Sequence, residues 1–143
     1  MPLTSRYLFT AAMDVEPAQE ALFNEVYDKE HVPSLLQVPG VIAIARLKLA
    51  PLTMSIGGEN KTIVFEHEPR YSAIYEVESP DVLVSAAWAK AVEEGRWPAQ
   101  VRPYTRNRKH TLYRKIGSLL PQRPSFVEKD FGQPNWLCGA AKP

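Results

Sequence analysis

The sequence predicts an α+β fold, with elements in the order β-α-β-β-α-β. Its strands form one antiparallel sheet and both helices lie on the same face. Three observations predict it. Runs rich in aromatic and branched apolar residues recur at 6–15, 41–49, 71–77 and 105–116. Stretches with apolar residues at helical spacing follow the first and third of these runs. Right-handed crossovers then carry both helices to one side of the sheet.

Each element has its own signal. RYLFTAAMDV, residues 6–15, is the first strand. Pro17 suits the first turn of a helix, where a missing N–H costs nothing, and Leu22, Phe23, Val26, Tyr27 and His31 follow at helical spacing. Pro33 disfavours helical geometry at Val32, so the helix is expected to end or kink there, with His31 at its end. Pro39-Gly40 is a turn, and VIAIARLKL, residues 41–49, is the second strand. Within 51–70, Gly57-Gly58-Glu59-Asn60 reads as a loop and residues 62–65 as a short extra strand. YSAIYEV, residues 71–77, is the third main strand, with Tyr71, Ala73, Tyr75 and Val77 on one face. Ser79-Pro80-Asp81 supplies an N-cap, a first-turn proline and an acid, opening a second helix that runs to about Glu94, before Gly95. Residues 97–104 read as a loop with two prolines, and residues 105–116 as a basic, alternating last strand.

The domain so defined covers 1–116. Residues 117–143 form a proline-rich extension, expected to dock through Phe126, Phe131 and Trp136 on a dimer. A dimer is expected because the first two strands are apolar on both faces, yet helices cover only one. A second copy meeting the open face under two-fold symmetry is the simplest cover.

Composition narrows the function. Seventeen basic against sixteen acidic side chains leave a net charge of +1, which gives no general attraction to nucleic acid. The basic run YTRNRKHTLYRK reads as a guarded edge strand. Cys138 is the single cysteine, so no intrachain disulfide forms, and a reducing, cytoplasmic setting fits. No apolar run approaches the roughly 18 residues of a membrane span, and the N-terminus reads as strand and not as a signal peptide. His67 and His110 lack partners at metal-ligand spacing, so no metal is expected. A glycine-rich phosphate loop and a serine-hydrolase elbow are also missing. No cofactor is expected on these grounds, although one histidine suffices as an axial haem ligand.

The residues left to carry chemistry surround the break at Pro33. Phe23, Tyr27 and His31 are spaced by four and stack on the apolar helix face, which points His31 between helix and sheet. An imidazole there is either a core group bonded to the backbone or a proton-transfer group. A helix C-terminus favours its charged form and burial its neutral form. Tyr27 and Tyr75 are phenols able to hold a developing oxyanion, or amphipathic packing. Arg46 shares a face with Ile42 and Ile44 and needs an anionic partner: a substrate carboxylate, Glu76 or, preferred here, a dimer contact. Phe23, Trp88, Trp97 and Tyr104 are candidate walls of an apolar binding site.

FNEVYDKEHVPSLLQVPGV, residues 23–41, and YSAIYEVESPDVLVSAAW, residues 71–88, resemble the dimeric α+β-barrel superfamily with its ferredoxin-like fold, and within it the EthD-like proteins. The shared features are the helix aromatic, the histidine, the proline two residues on and the Pro-Gly before the second strand. The resemblance implies a ferredoxin-like domain over residues 6–116. It admits cofactor-independent monooxygenases, muconolactone-type isomerases, polyketide cyclases, dehydratases and haem enzymes. The long 51–70 insertion and the tail depart from the family pattern. The reading that follows is a cofactor-independent acid/base enzyme of lyase, isomerase or cyclase type. Its substrate is a small apolar or aromatic oxygenated metabolite, with His31 moving the proton and Tyr27 or Tyr75 steadying the oxygen. The alternatives are a cofactor-free monooxygenase of phenols, a non-catalytic small-molecule binder and a haem binder.

Overall fold

A computed structural model describes residues 5–117. Its main sheet contains β1 (Tyr7–Val15), β2 (Val41–Lys48), β5 (Tyr71–Val77) and β6 (Thr105–Arg114), in the antiparallel order β2-β5-β1-β6. These are the strands the alternation predicts, and the helical segments lie over one face. Tyr71, Ala73, Tyr75 and Val77 of β5 and Ala11 and Met13 of β1 are buried on that face with Phe23, Val26 and Leu35 from the first helical segment. This is the core. The tail expected to dock on a dimer lies outside the described residues.

The 51–70 segment differs from its expectation. It contains a hairpin of β3 (Leu52–Ile56) and β4 (Glu59–Ile63). Gly57 and Gly58, at φ of +63° and +85°, make the two-residue turn whose twist matches antiparallel strands. Of the four residues read as loop, Gly57-Gly58 are the turn itself and Glu59-Asn60 already belong to β4, so the extra strand starts three residues earlier than expected.

The first helical segment also differs. α1 (Glu20–Val26) passes into a π turn (Tyr27–His31) and then α2 (Val32–Leu36) without a break. Pro33 therefore does not end the helix. Its missing N–H and bulky ring are accommodated because the turn before it widens by one residue, and the Val32 N–H bonds back to the Tyr27 carbonyl. His31 sits inside the helix, not at its end.

The expected second helix is two pieces. A 3₁₀ turn (Pro80–Val84) leads to Ser85, which takes an extended conformation and caps α3 (Ala86–Ala91), its Oγ accepting the Trp88 N–H at 3.1 Å. Ser79 makes no capping bond. Val82 and Val84 are β-branched and disfavour a helix, and the serine after them, not the one before, opens it. Residues 97–104, expected as loop, form a π turn (Trp97–Val101) and a 3₁₀ turn (Arg102–Tyr104).

Candidate active site

A cavity of about 170 Å³ lies between the helix-covered sheet face and the helical segments. Its floor is shallow where β1 presents Ala11, paired to Ala73 on one side and His110 on the other. An aromatic wall rises beside it. Phe9 meets Tyr75 at 5.4 Å and Trp88 edge-on at 5.9 Å, and Tyr75 meets Trp88 at 5.6 Å between ring centres.

Helix spacing delivers Tyr27 and His31 to the same cavity. Their rings lie 5.1 Å apart, edge to face, and the His31 ring stacks on Trp97 at 4.2 Å. His31 is only 6% exposed, and its Nδ1 is buried with no hydrogen-bond partner. A bonded core histidine would have one, so the ring is held by packing alone among the described residues. Desolvation dominates its electrostatics, aided by the Arg102 charge and opposed by Glu93, and lowers its pKa to about 4. The helix terminus that would have favoured the charged form is absent, because the helix continues. His31 is a neutral base at ordinary pH.

Tyr27 and Tyr75 hydrogen bond through their hydroxyls at 3.2 Å, both buried. Burial raises both pKa values, that of Tyr75 well above 10, so both stay phenols. Two hydroxyls sharing one bond use one proton between them, and among the described residues no other partner takes the second. The pair holds one donor for an oxygen in the cavity.

Trp97 owes its place to residues beside His31 in sequence. Glu30, in the same π turn, accepts the Arg96 N–H at 2.9 Å and the Arg96 Nε–H at 2.6 Å. Arg96 also donates to Glu25 at 2.9 Å. Gly95 precedes it at φ +69°, where a Cβ would meet Glu30 Oε1 at 2.5 Å. This clip fixes the π turn and the Trp97 turn to each other.

The cavity gathers His31, Tyr27, Tyr75, Trp88 and Trp97 from the predicted set. Phe23, Arg46 and Tyr104 do not line it. Phe23 is fully buried behind it, against Tyr27, Tyr71 and Trp97. Arg46 donates to Asp28 at 2.8 Å and Asn24 at 2.9 Å, with its guanidinium 4.4 Å above the Tyr27 ring. Among the described residues its anionic partner is therefore Asp28, not Glu76. Glu76 instead accepts the Ser5 N–H at 3.2 Å. Ile42 does not share the Arg46 face as expected, because β2 bulges between Val41 and Ala43. Tyr104 is exposed, and its carbonyl accepts the Glu16 N–H at 3.1 Å.

Sequence reasoning missed Arg102, Arg108 and His110, which complete the lining. The signal for His110 was its alternation with Leu112, which pairs with Phe9 and so places both on the helix-covered face. Among the described residues no three His, Cys, Asp or Glu side chains converge as a metal would need. No helix there is long and apolar enough to cross a membrane.

No protein-family model and no curated protein matches the chain. Solved structures do. A mutant of MhuD with two manganese protoporphyrin IX bound per active site is similar at a TM-score of 0.51 and 13% identity, over 80% of this chain and 99% of that one. An ethyl tert-butyl ether D (EthD) family protein from Bacillus halodurans C-125 is similar at 0.48 and 11% identity, over 77% and 99%. The first likeness and the strand order place this chain in the ferredoxin-like α+β-barrel fold that the resemblance predicts.

Proposed function

We propose that the protein is a cofactor-independent acid/base enzyme acting on a small apolar or aromatic carbonyl compound, with His31 as the base. The observation that carries this reading is the buried, unpartnered, neutral imidazole beside a phenol pair with an unused proton. Neutral His31 removes a proton from carbon next to a carbonyl, and the free phenol proton meets the enolate oxygen. The imidazolium so formed sits beside the new anion, which offsets the desolvation that disfavours its charge. Returning the proton to another carbon isomerises the substrate. Expelling a group from the β carbon is a lyase step, and attack of the enolate on a second carbonyl closes a ring.

The cavity sets the scale of the substrate. At about 170 Å³ it lies below the ~300–1,000 Å³ of sites for drug-sized ligands. A porphyrin is larger than those ligands, and so larger than a cavity of about 170 Å³ holds. These residues do not fit haem, and no step is routed through it.

The test needs no knowledge of the natural substrate. Acetophenone, 2-indanone and phenylpyruvate in D₂O each carry an exchangeable C–H next to a carbonyl. The wild type accelerates deuterium uptake into at least one of them, and His31→Gln loses about 100-fold of that acceleration with its circular dichroism unchanged. Full exchange by His31→Gln rejects His31 as the base. Binding without exchange by the wild type replaces the enzyme with a carrier. Oxygen uptake with an electron-rich phenol replaces it with a cofactor-free monooxygenase.

The assembly proposed is a cytoplasmic homodimer joined through the sheet face that no helix covers. Leu8 and Ile74 are half-buried there, and Leu47 and Tyr113 are exposed on that side. A second copy would remove this apolar area from water. Light scattering at micromolar concentration gives twice the mass of the 143-residue chain; a monomer mass rejects the dimer.

A further inference from the structure

We propose that the substrate carries a carboxylate, and that Arg108 at the cavity mouth is the residue that anchors it. The inference rests on the reading of this cavity as the substrate site and adds the chemical class of what enters it.

The cavity is lopsided in charge. Two arginines, Arg102 and Arg108, line it and, among the described residues, no aspartate or glutamate does. The two arginines are not equivalent. Arg102 is matched, its guanidinium donating to both Glu93 oxygens at 3.0 and 2.7 Å and to the Val92 carbonyl at 2.9 Å. Arg108 has no carboxylate partner among the described residues. Its Nε donates to Thr105 Oγ1 at 3.0 Å, and its Nη2 to Thr105 Oγ1 at 2.8 Å and the Arg102 carbonyl at 3.0 Å. These neutral acceptors fix the exposed guanidinium and leave its Nη1 donors to solvent at the rim, with no protein partner among the described residues.

The backbone is shaped to deliver it. β6 carries one extra residue between its pairings Ala12–Lys109 and Asp14–Arg106. The bulge centres on Asn107, at φ +53°, whose Nδ2 donates to Asp14 and to the His67 carbonyl, both at 3.0 Å. Bulges commonly re-aim a side chain beside a site. Here the bend folds Arg108 back over Thr105 and the end of the Arg102–Tyr104 turn, at the rim of the cavity. The neighbouring imidazole feels the charge: desolvation and then Arg108 lower the His110 pKa. A positioned guanidinium edge matches a planar carboxylate, and the aromatic wall behind it takes an apolar body.

Phenylacetate and its neutral isostere phenylacetamide test this, with quenching of tryptophan fluorescence as the readout. The wild type binds the acid at least tenfold more tightly than the amide. Arg108→Gln brings the two within about twofold, and Arg114→Gln, which removes an equal charge on β6 outside the cavity, keeps the preference. Equal binding of acid and amide by the wild type overturns the proposal and needs no variant. So does a preference that survives in a folded Arg108→Gln. His31→Gln keeps the acid preference while losing deuterium exchange, so failure of the anchor and failure of the base are read separately.

Discussion

Lowering the pH from 7 to 5 is expected to destabilise the wild type by about 2 kcal/mol more than His31→Leu, and by about 3 kcal/mol at pH 4. The folded pKa of His31 is about 4, against 6.5 for the unfolded chain. Above 6.5 the ring is neutral in both states and contributes no pH dependence. Between 6.5 and 4 the unfolded chain takes up a proton that the native cavity refuses, so stability falls as pH falls. Below 4 both states are protonated and the loss is complete. His110 titrates in the same direction, and the carboxylates of Glu20, Glu30 and Glu93, all held below the usual range, lose their contribution at still lower pH. Those of His110, Glu20 and Glu30 are common to both proteins, and the His31 charge is the smallest of the causes acting on Glu93, so the difference between them chiefly reports His31. Urea unfolding from pH 8 to pH 4 measures it. A difference that stays flat across this range means that the imidazole has an ordinary pKa, and the neutral buried base is lost with it.

His31→Leu is also expected to match or exceed the wild type at pH 8. An unpartnered buried nitrogen costs stability, and an apolar side chain removes that cost. A group kept at such a cost is characteristic of function. The stability measurement therefore bears on the same question as deuterium exchange, without any substrate.

The sheet was legible in the sequence because its strands alternate against a single covered face. Tyr71, Ala73, Tyr75 and Val77 mark that face without help from the rest of the chain. The inward aim of Tyr27 and His31 was legible from spacing alone. The π turn was not. A proline after a helical run ordinarily marks an end, and the continuation seen here coexists with the Glu30–Arg96 clip, whose partners lie 66 residues apart. The cationic mouth was hidden for a related reason. Arg108 and His110 look like guards of an edge strand until the pairing of Ala11 with His110 and the bulge at Asn107 are known. Local pattern fixes faces; the site depends on contacts between segments far apart in sequence.

Trp97→Ala is expected to cost about 3–5 kcal/mol, the range for removing a large aromatic from a packed core. Trp97 is buried and touches Phe23, Tyr27 and His31 through its ring. The loss has a chemical consequence as well as a mechanical one. The indole covers one face of the imidazole, and with alanine there water reaches the ring. Desolvation is the largest cause of the low His31 pKa, so that pKa rises from about 4 toward 6.5. The acid destabilisation attributed to His31 should shrink in the same variant. Trp97→Phe keeps most of the cover and should stay near the wild type in both respects. Urea unfolding at pH 7 gives the stability, and the NMR shift of the His31 Cε1 proton against pH gives the titration. A stable Trp97→Ala protein whose His31 still titrates near 4 would assign the low pKa to the Arg102 charge. The cavity's electrostatics, and not its dryness, would then be what keeps the base neutral.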